Sequence, residues 1–193
     1  MITEHFPDTV RARLAARPAR TIAEWEARPA AVLIPLFEKH GAWHVLFTER
    51  THDVEDHKGQ VAFPGGRADE GDESRVATAL RETEEEIGLG REDVTVIGTL
   101  DELLTITQYR VTPVVGTFRW PYEFTTSPVE IAAIFDTPLD WLADPAHLEI
   151  QYYPPPAGGP PIPVYYFHYD GHTIWGVTAR IVLSFLEVIG LRK

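Results

Sequence analysis

Apolar positions along this chain follow two rhythms. Residues 31–37 (AVLIPLF) are nearly all apolar, and residues 43–47 (WHVLF) follow a polar turn at 39–42. This predicts two strands, the first covered on both faces. Residues 94–100, 111–118 and 130–135 read as further strands, and Pro113 predicts an edge position or a bulge in the second of these. Residues 164–169 and 173–175 predict a hairpin about Asp170-Gly171.

The other rhythm is helical. Phe6, Val10 and Leu14 share a stripe in a segment, 3–27, that reads as helical and interrupted near Pro18. Val76, Leu80, Thr83 and Ile87 form a second stripe. Ala179, Val182, Leu186 and Ile189 form a third in a last helix over 176–189, and residues 138–143 predict a short helix. Residues 151–163, with Pro154-Pro155-Pro156 and Gly158-Gly159-Pro160-Pro161, predict an ordered surface loop without regular structure. Tyr165, Tyr166, Phe167 and Trp175 are expected in the core, with one of them available to line a groove for adenine or pantetheine.

Composition bounds the picture without sharpening it. The 193 residues, 44% hydrophobic and 24% charged, suit one globular domain. The absence of cysteine excludes disulfides, thiol chemistry and thiolate metal sites. A net charge of −12 argues against general binding to nucleic acid or anionic membranes. It also means that an anionic substrate needs local cations. No apolar run approaches a membrane span, and residues 1–10 carry no signal-peptide pattern, so a cytoplasmic protein is expected. The N-terminal stripe suits packing or oligomer contact, which leaves room for a homodimer.

The second helical stripe carries the candidate chemistry. At about 100° per residue, Glu82 and Glu86 lie beside the apolar stripe, while Glu85 points nearly opposite to it. Glu82 and Glu86 are like charges at i,i+4. Gly88 ends the helix, so Glu85 and Glu86 sit in its last turn, where the dipole disfavours anions. Breaking two local rules in one turn is a mark of functional sites. Clustered carboxylates suit a hard divalent cation; a solvated acidic face is the plain alternative for any Glu-rich helix.

Arg81-Glu82-Thr83-Glu84-Glu85-Glu86-Ile87-Gly88-Leu89 resembles the second half of the Nudix box, R-E-U-x-E-E-x-G-U with U a bulky apolar residue. Thr83 is a weak match at the first U. Glu73 matches the earlier glutamate of the box, and Gly65-Gly66, read as a tight turn, matches its glycine end with one residue inserted before Glu73. The insertion leaves Asp72 or Glu73 to fill the earlier acidic position. The resemblance covers residues 63–89. It implies an α/β/α sandwich with a mixed β-sheet and a Mg²⁺ or Mn²⁺ site held by Glu82, Glu85 and Glu86. It also implies catalytic roles for Arg81 and Glu73, with Arg81 orienting the carboxylates. In several members an acidic residue from a later loop assists, for which Glu102 and Glu130 are candidates.

The preceding residues are similar to the signature of the coenzyme A pyrophosphatase subfamily, L-L-T-x-R-[SA]-x3-R-x3-G-x3-F-P-G-G. Leu46-Phe47-Thr48, Arg50, Gly59 and Phe63-Pro64-Gly65-Gly66 fit its spacing. Phe47 and Thr51 depart from it, and Glu55 stands where the signature has Arg, inverting a charge. Ile174-Trp175-Gly176, with Thr178 and Ala179, resembles the start of the C-terminal helix in the same subfamily. The subfamily implies cleavage of coenzyme A at its diphosphate, with Arg50, Lys58, Gly65 and Gly66 as substrate-binding residues. His57 is a further nearby polar group. The inverted charge at Glu55 keeps other substrates in view: ADP-ribose, NADH, a dinucleoside polyphosphate or an oxidised dNTP. A Nudix-like binding module without catalysis is the reading from another class. The complete set of Glu73, Arg81, Glu82, Glu85 and Glu86 argues against it.

Overall fold

The structure, a computed structural model, describes residues 5–23, 26–51, 59–155 and 158–192. Its centre is an eight-stranded sheet made of β1 (Arg28–Lys39), β2 (Ala42–Arg50), β3 (Val61–Ala62), β4 (Gly65–Arg67), β5 (Thr95–Thr99), β6 (Leu103–Leu104), β7 (Tyr109–Thr117) and β8 (Ile131–Pro138). β1 and β7 run parallel, with Arg28 opposite Tyr109 and Leu36 opposite Thr117. Every other pairing is antiparallel, so the sheet is mixed.

Four helices complete the core: α1 (Phe6–Ala15), α2 (Arg75–Ile87), α3 (Leu139–Ala143) and α4 (Gly176–Val188). Strand alternation sorts β1 between them. Ala31, Leu33 and Phe37 pack with Ala79 and Ile87 of α2. Ala30, Ile34 and Leu36 join Phe6, Val10 and Leu14 of α1 and Val182 and Leu186 of α4 in a second cluster. Both faces of β1 are covered, which is why its sequence lacks polar alternation. The result is the expected α/β/α sandwich.

Several expectations need correction. The N-terminal helix stops at Ala15, and the following segment is tied instead by Arg17 and Arg20 to Asp101 at 2.6 and 2.8 Å. Pro113 marks neither an edge nor a bulge of its own strand, because β7 lies between β1 and β5. It sits where β5 hands over to β6, and there its carbonyl accepts from the Leu100 amide at 2.9 Å.

Gly65-Gly66 is not a tight turn. The chain bends at Pro64, and β4 then pairs with β1 through Gly65–Val32, Gly66–Ala31 and Arg67–Ala30. The ends of the 151–163 stretch are strands. β9 (Leu148–Tyr153) pairs with β10 (Ile162–Tyr169), which pairs in turn with β11 (His172–Trp175). Only the residues between β9 and β10 are irregular among those described. The β10–β11 turn is as expected, with Asp170 and Gly171 at φ 47° and 80°. Of the four aromatics expected in the core, Phe167 is fully buried, Tyr165 and Tyr166 are half-buried, and Trp175 is exposed. No helix among the described residues is long and apolar enough to cross a membrane.

Candidate functional site

The site is built on the C-terminal half of α2. Ser74 caps the start of the helix by accepting from the Ala77 amide at 3.1 Å, and Gly88 ends it in the left-handed conformation, φ 68°. The last carbonyls are not left to solvent. Thr125 N–H donates to Ile87 O at 3.0 Å, and Ser127 N–H donates to Glu86 O at 2.9 Å. The buried stripe runs through Ala79, Thr83, Glu86 and Ile87, with Val76 and Leu80 half-buried. Thr83 is tolerated there because its hydroxyl donates to Ala79 O at 2.7 Å. Glu86 therefore lies inside the buried face rather than beside it.

Glu86 is 5% exposed. Its Oε2 accepts from the Gly65 amide at 3.0 Å, and its Oε1 lies 3.5 Å from Arg50 Nη1, at the long end of ion-pair geometry. Burial outweighs both and pushes its pKa up to about 7, with the Glu82 and Glu130 charges adding to the rise. Burial also raises Glu82 above its ordinary value, against the pull of Arg81. Glu85 is the most exposed of the three, 58% for its side chain.

The two glycines of β4 let the strand pass between β1 and α2. A Cβ on Gly65 would run into Ala31 O, and its φ of 151° already disfavours any side chain. A Cβ on Gly66 would run into the carboxylate of Glu82. Gly66 is thus the floor against which Glu82 rests.

Arg81 ties the acidic groups together. Its Nη1 reaches Glu82 Oε1 at 3.0 Å and Glu85 Oε2 at 3.1 Å, and its Nη2 donates to Arg67 O at 3.0 Å. Nε and Nη2 grip the two carboxylate oxygens of Asp72 at 2.9 and 3.0 Å. Asp72 also accepts from Asp69 N–H and Thr78 Oγ1, both at 2.9 Å. The Arg81 guanidinium, foremost, holds the Asp72 carboxyl well below the usual carboxylate range. Glu73 is exposed, one residue away. Of the two acids that could fill the earlier acidic position, Asp72 is the one that meets Arg81, with Asp69 a more distant second at 3.7 Å.

Arg50 stands beside Glu86, and its Nε is buried with no hydrogen-bond partner among the described residues. Lys58, with Glu55 and His57, lies outside the described residues. Glu102 is taken up structurally, accepting from Ile22 N–H at 2.7 Å and Thr112 Oγ1 at 3.0 Å. Glu130 is brought towards Glu86. Its carbonyl accepts from Thr51 N–H at 2.9 Å, and Thr51 Oγ1 donates to Val129 O at 2.6 Å. Beyond Glu130 itself, sequence reasoning gave no role to the 125–131 segment, whose backbone lashes the end of β2 to the end of α2. No side-chain motif marks a role played by amides and carbonyls.

The donor set is all oxygen, on one helix; Glu86 is buried against a single distant cation, and Glu82 is partly buried. That is the environment a hard divalent cation completes. As it stands, no group of three or more carboxylate or imidazole side chains among the described residues is drawn close enough to hold an ion, because Arg81 engages Glu82 and Glu85. A Mg²⁺-like ion that keeps waters and takes phosphate oxygens does not need a closed cage.

Comparison with known proteins agrees with this geometry. The family model of the NUDIX domain matches residues 27–155. The chain is 40% identical over 158 residues to a protein of Photorhabdus laumondii named uncharacterized Nudix hydrolase NudL, covering 80% of this chain and 81% of that one. It is 38% identical over 167 residues to the protein of the same name from Escherichia coli K12, covering 86% and 84%. Among solved structures, the Nudix hydrolase RenU from M. smegmatis is 28% identical with a TM-score of 0.51, covering 62% of this chain and 76% of that one. A MutT/nudix family protein from Enterococcus faecalis shares the fold at 15% identity and a TM-score of 0.54, covering 88% and 65%. Sequence, fold and the acidic helix agree, and the chain belongs to the Nudix family as a hydrolase of pyrophosphate-containing substrates.

Proposed function

We propose that the protein hydrolyses the diphosphate linkage of coenzyme A or a derivative, giving 3′,5′-ADP and 4′-phosphopantetheine. The observation that carries the chemistry is the buried Glu86 carboxylate, held between the Gly65 amide and Arg50 on the same helical turns as Glu82 and Glu85. Nudix hydrolases depend on divalent metal ions, here Mg²⁺ or Mn²⁺. Such an ion neutralises phosphate oxygens and lowers the pKa of a water.

Glu82, Glu85 and Glu86 would supply its oxygen ligands. Arg81, anchored by Asp72, orients Glu82 and Glu85. Gly65 and Gly66 let β4 run close enough to α2 for Glu82 and Glu86 to rest against its backbone, and Arg50, beside Glu86 with its side chain 28% exposed, is a cation that a phosphate oxygen can reach. The attacking water joins one phosphorus in line with the bridging oxygen, which leaves with the other phosphate. Glu73, exposed beside Asp72, is left a supporting role in the loop.

The substrate assignment rests on the signature from Leu46 to Gly66, whose described part places Arg50 against Glu86. Glu55, where that signature has Arg, favours the second reading: a pyrophosphatase for ADP-ribose, NADH, a dinucleoside polyphosphate or an oxidised dNTP. Incubation with Mg²⁺ or Mn²⁺ and a panel of coenzyme A, acyl-coenzyme A and these alternatives separates the two. Turnover of coenzyme A above the rest is expected. Turnover of another nucleoside diphosphate derivative with coenzyme A left intact would remove the first reading.

A further inference from the structure

The exposed apolar side chains of this protein are concentrated in one place. Ile150, Tyr152, Tyr153, Ile162 and Trp175 all belong to the small β9–β11 sheet and are between 38% and 66% exposed. Strand order in that sheet is β11-β10-β9, so one side of β9 has no strand beside it among the described residues.

Free edges are usually guarded by lysine, proline, a bulge or very short length. β9 contains no lysine, proline or bulge, and its one charge, Glu149, is engaged by Gln151 and His168. Its six residues, LEIQYY, pair with β10 in unbroken register from Leu148–Phe167 to Tyr153–Ile162. The strand is also stiffened along one face. Gln151 Nε2 donates to Glu149 Oε1 at 2.7 Å, and the Tyr153 hydroxyl donates to Gln151 Oε1 at 2.5 Å. The Tyr166 hydroxyl lies 3.1 Å from that of Tyr153, and His168 Nε2 lies 3.2 Å from Glu149 Oε2. An edge ordered in advance loses little further entropy when another strand pairs with it.

The pattern of β9 is complementary to itself. Set antiparallel to a copy and centred on Gln151, Ile150 falls opposite the partner's Tyr152 on one face, twice over by symmetry. On the other face Glu149 falls opposite the partner's Tyr153, a carboxylate facing a phenol, and Gln151 meets its own copy. No like charges oppose each other, which matters for a chain of net charge −12. A two-fold axis uses the same patch on both copies and leaves no open edge to propagate.

We propose that two copies of this chain associate through the free edge of β9, paired antiparallel about Gln151, to form a continuous six-stranded sheet. The interface is independent of the substrate assignment and lies on different elements from the acidic helix.

Light scattering after size exclusion, from low micromolar to near-millimolar protein, tests it. A concentration-dependent twofold rise in molar mass is expected. The double substitution Ile150→Lys and Tyr152→Lys is expected to abolish the rise. Ile106→Lys, at a fully exposed apolar residue elsewhere, should leave it intact. A monomer at every concentration, or a dimer unaffected by the double substitution, would overturn the proposal. If the double variant does not fold, hydrogen exchange on the unaltered chain decides. Protection of the 148–153 amides that grows with concentration supports the pairing, and protection independent of concentration refutes it.

Discussion

Asp72 grips Arg81 with both carboxylate oxygens, Nε to Oδ1 at 2.9 Å and Nη2 to Oδ2 at 3.0 Å, while the next residue, Glu73, is exposed. The Asp72 side chain is only 6% exposed and that of Arg81 19%. Removing Asp72 would strip Arg81 of its two-oxygen partner and leave it only Glu82, Glu85 and the more distant Asp69, at a cost of about 3 kcal/mol.

Asp72→Asn is therefore expected to lower stability by roughly that amount and to reduce turnover, because Arg81 no longer orients Glu82 and Glu85. Glu73→Gln should change stability by less than ~0.5 kcal/mol. Urea unfolding and kcat measured on both variants check this. Equal effects would show that the two acids share the role. The lowered Asp72 pKa sets the sign of the pH dependence. Its contribution is present above the unfolded value, near pH ~4, and is lost as pH falls towards the folded one.

Glu86 works in the opposite direction. Its folded value, about 7, is raised from an ordinary 4.5 by burial. The stabilisation from its neutral form is fully present below the unfolded value and is lost as pH rises through about 7. The metal-free protein should thus lose stability, on the order of 2 kcal/mol, as pH rises from the ordinary value of 4.5 to about 7, and change little above that. Glu86→Gln should flatten the loss. Added Mn²⁺ or Mg²⁺ should reverse it at the higher pH and release protons on binding, which calorimetry in buffers of different ionisation enthalpy would read. A metal-free stability curve that rises across this window contradicts the assignment.

Glu82→Gln and Glu86→Gln are each expected to lower kcat by on the order of 10³-fold while the fold and its cooperative melting are retained. Near-native turnover in both variants would sink the proposed metal-ligand role.

Gly65→Ala and Gly66→Ala should part company. The first drives a Cβ into the Ala31 carbonyl at a positive φ, so a stability loss of about 2–3 kcal/mol is expected. The second meets, as its nearest neighbour, the movable end of Glu82. It should leave the melting temperature nearly unchanged and lower activity by displacing that carboxylate. Thermal melts beside kcat for the two variants check the separation.

The local elements were legible in the sequence because each depends on near neighbours. Phe6-Val10-Leu14 and Ala179-Val182-Leu186 show their buried stripes by period alone. Gly88 marks the end of α2, and Asp170-Gly171 a turn with two positive φ angles. The acidic helix with Arg81 was equally visible, since its groups lie within two turns. What spans elements was not. β9 was hidden in a Pro-rich stretch because its pairing partner, not its composition, makes it a strand. Gly65-Gly66 looked like a turn until β1 supplied a partner on one side and Glu82 a neighbour on the other. Which loop acid meets Arg81 depended on the path of an insertion, and the depth of Glu86 on how β4 and β2 close over the helix. Spacing along the chain specifies the groups, but burial and pairing are properties of what packs against them, and those decide the charge state of Glu86 and the partner of Arg81.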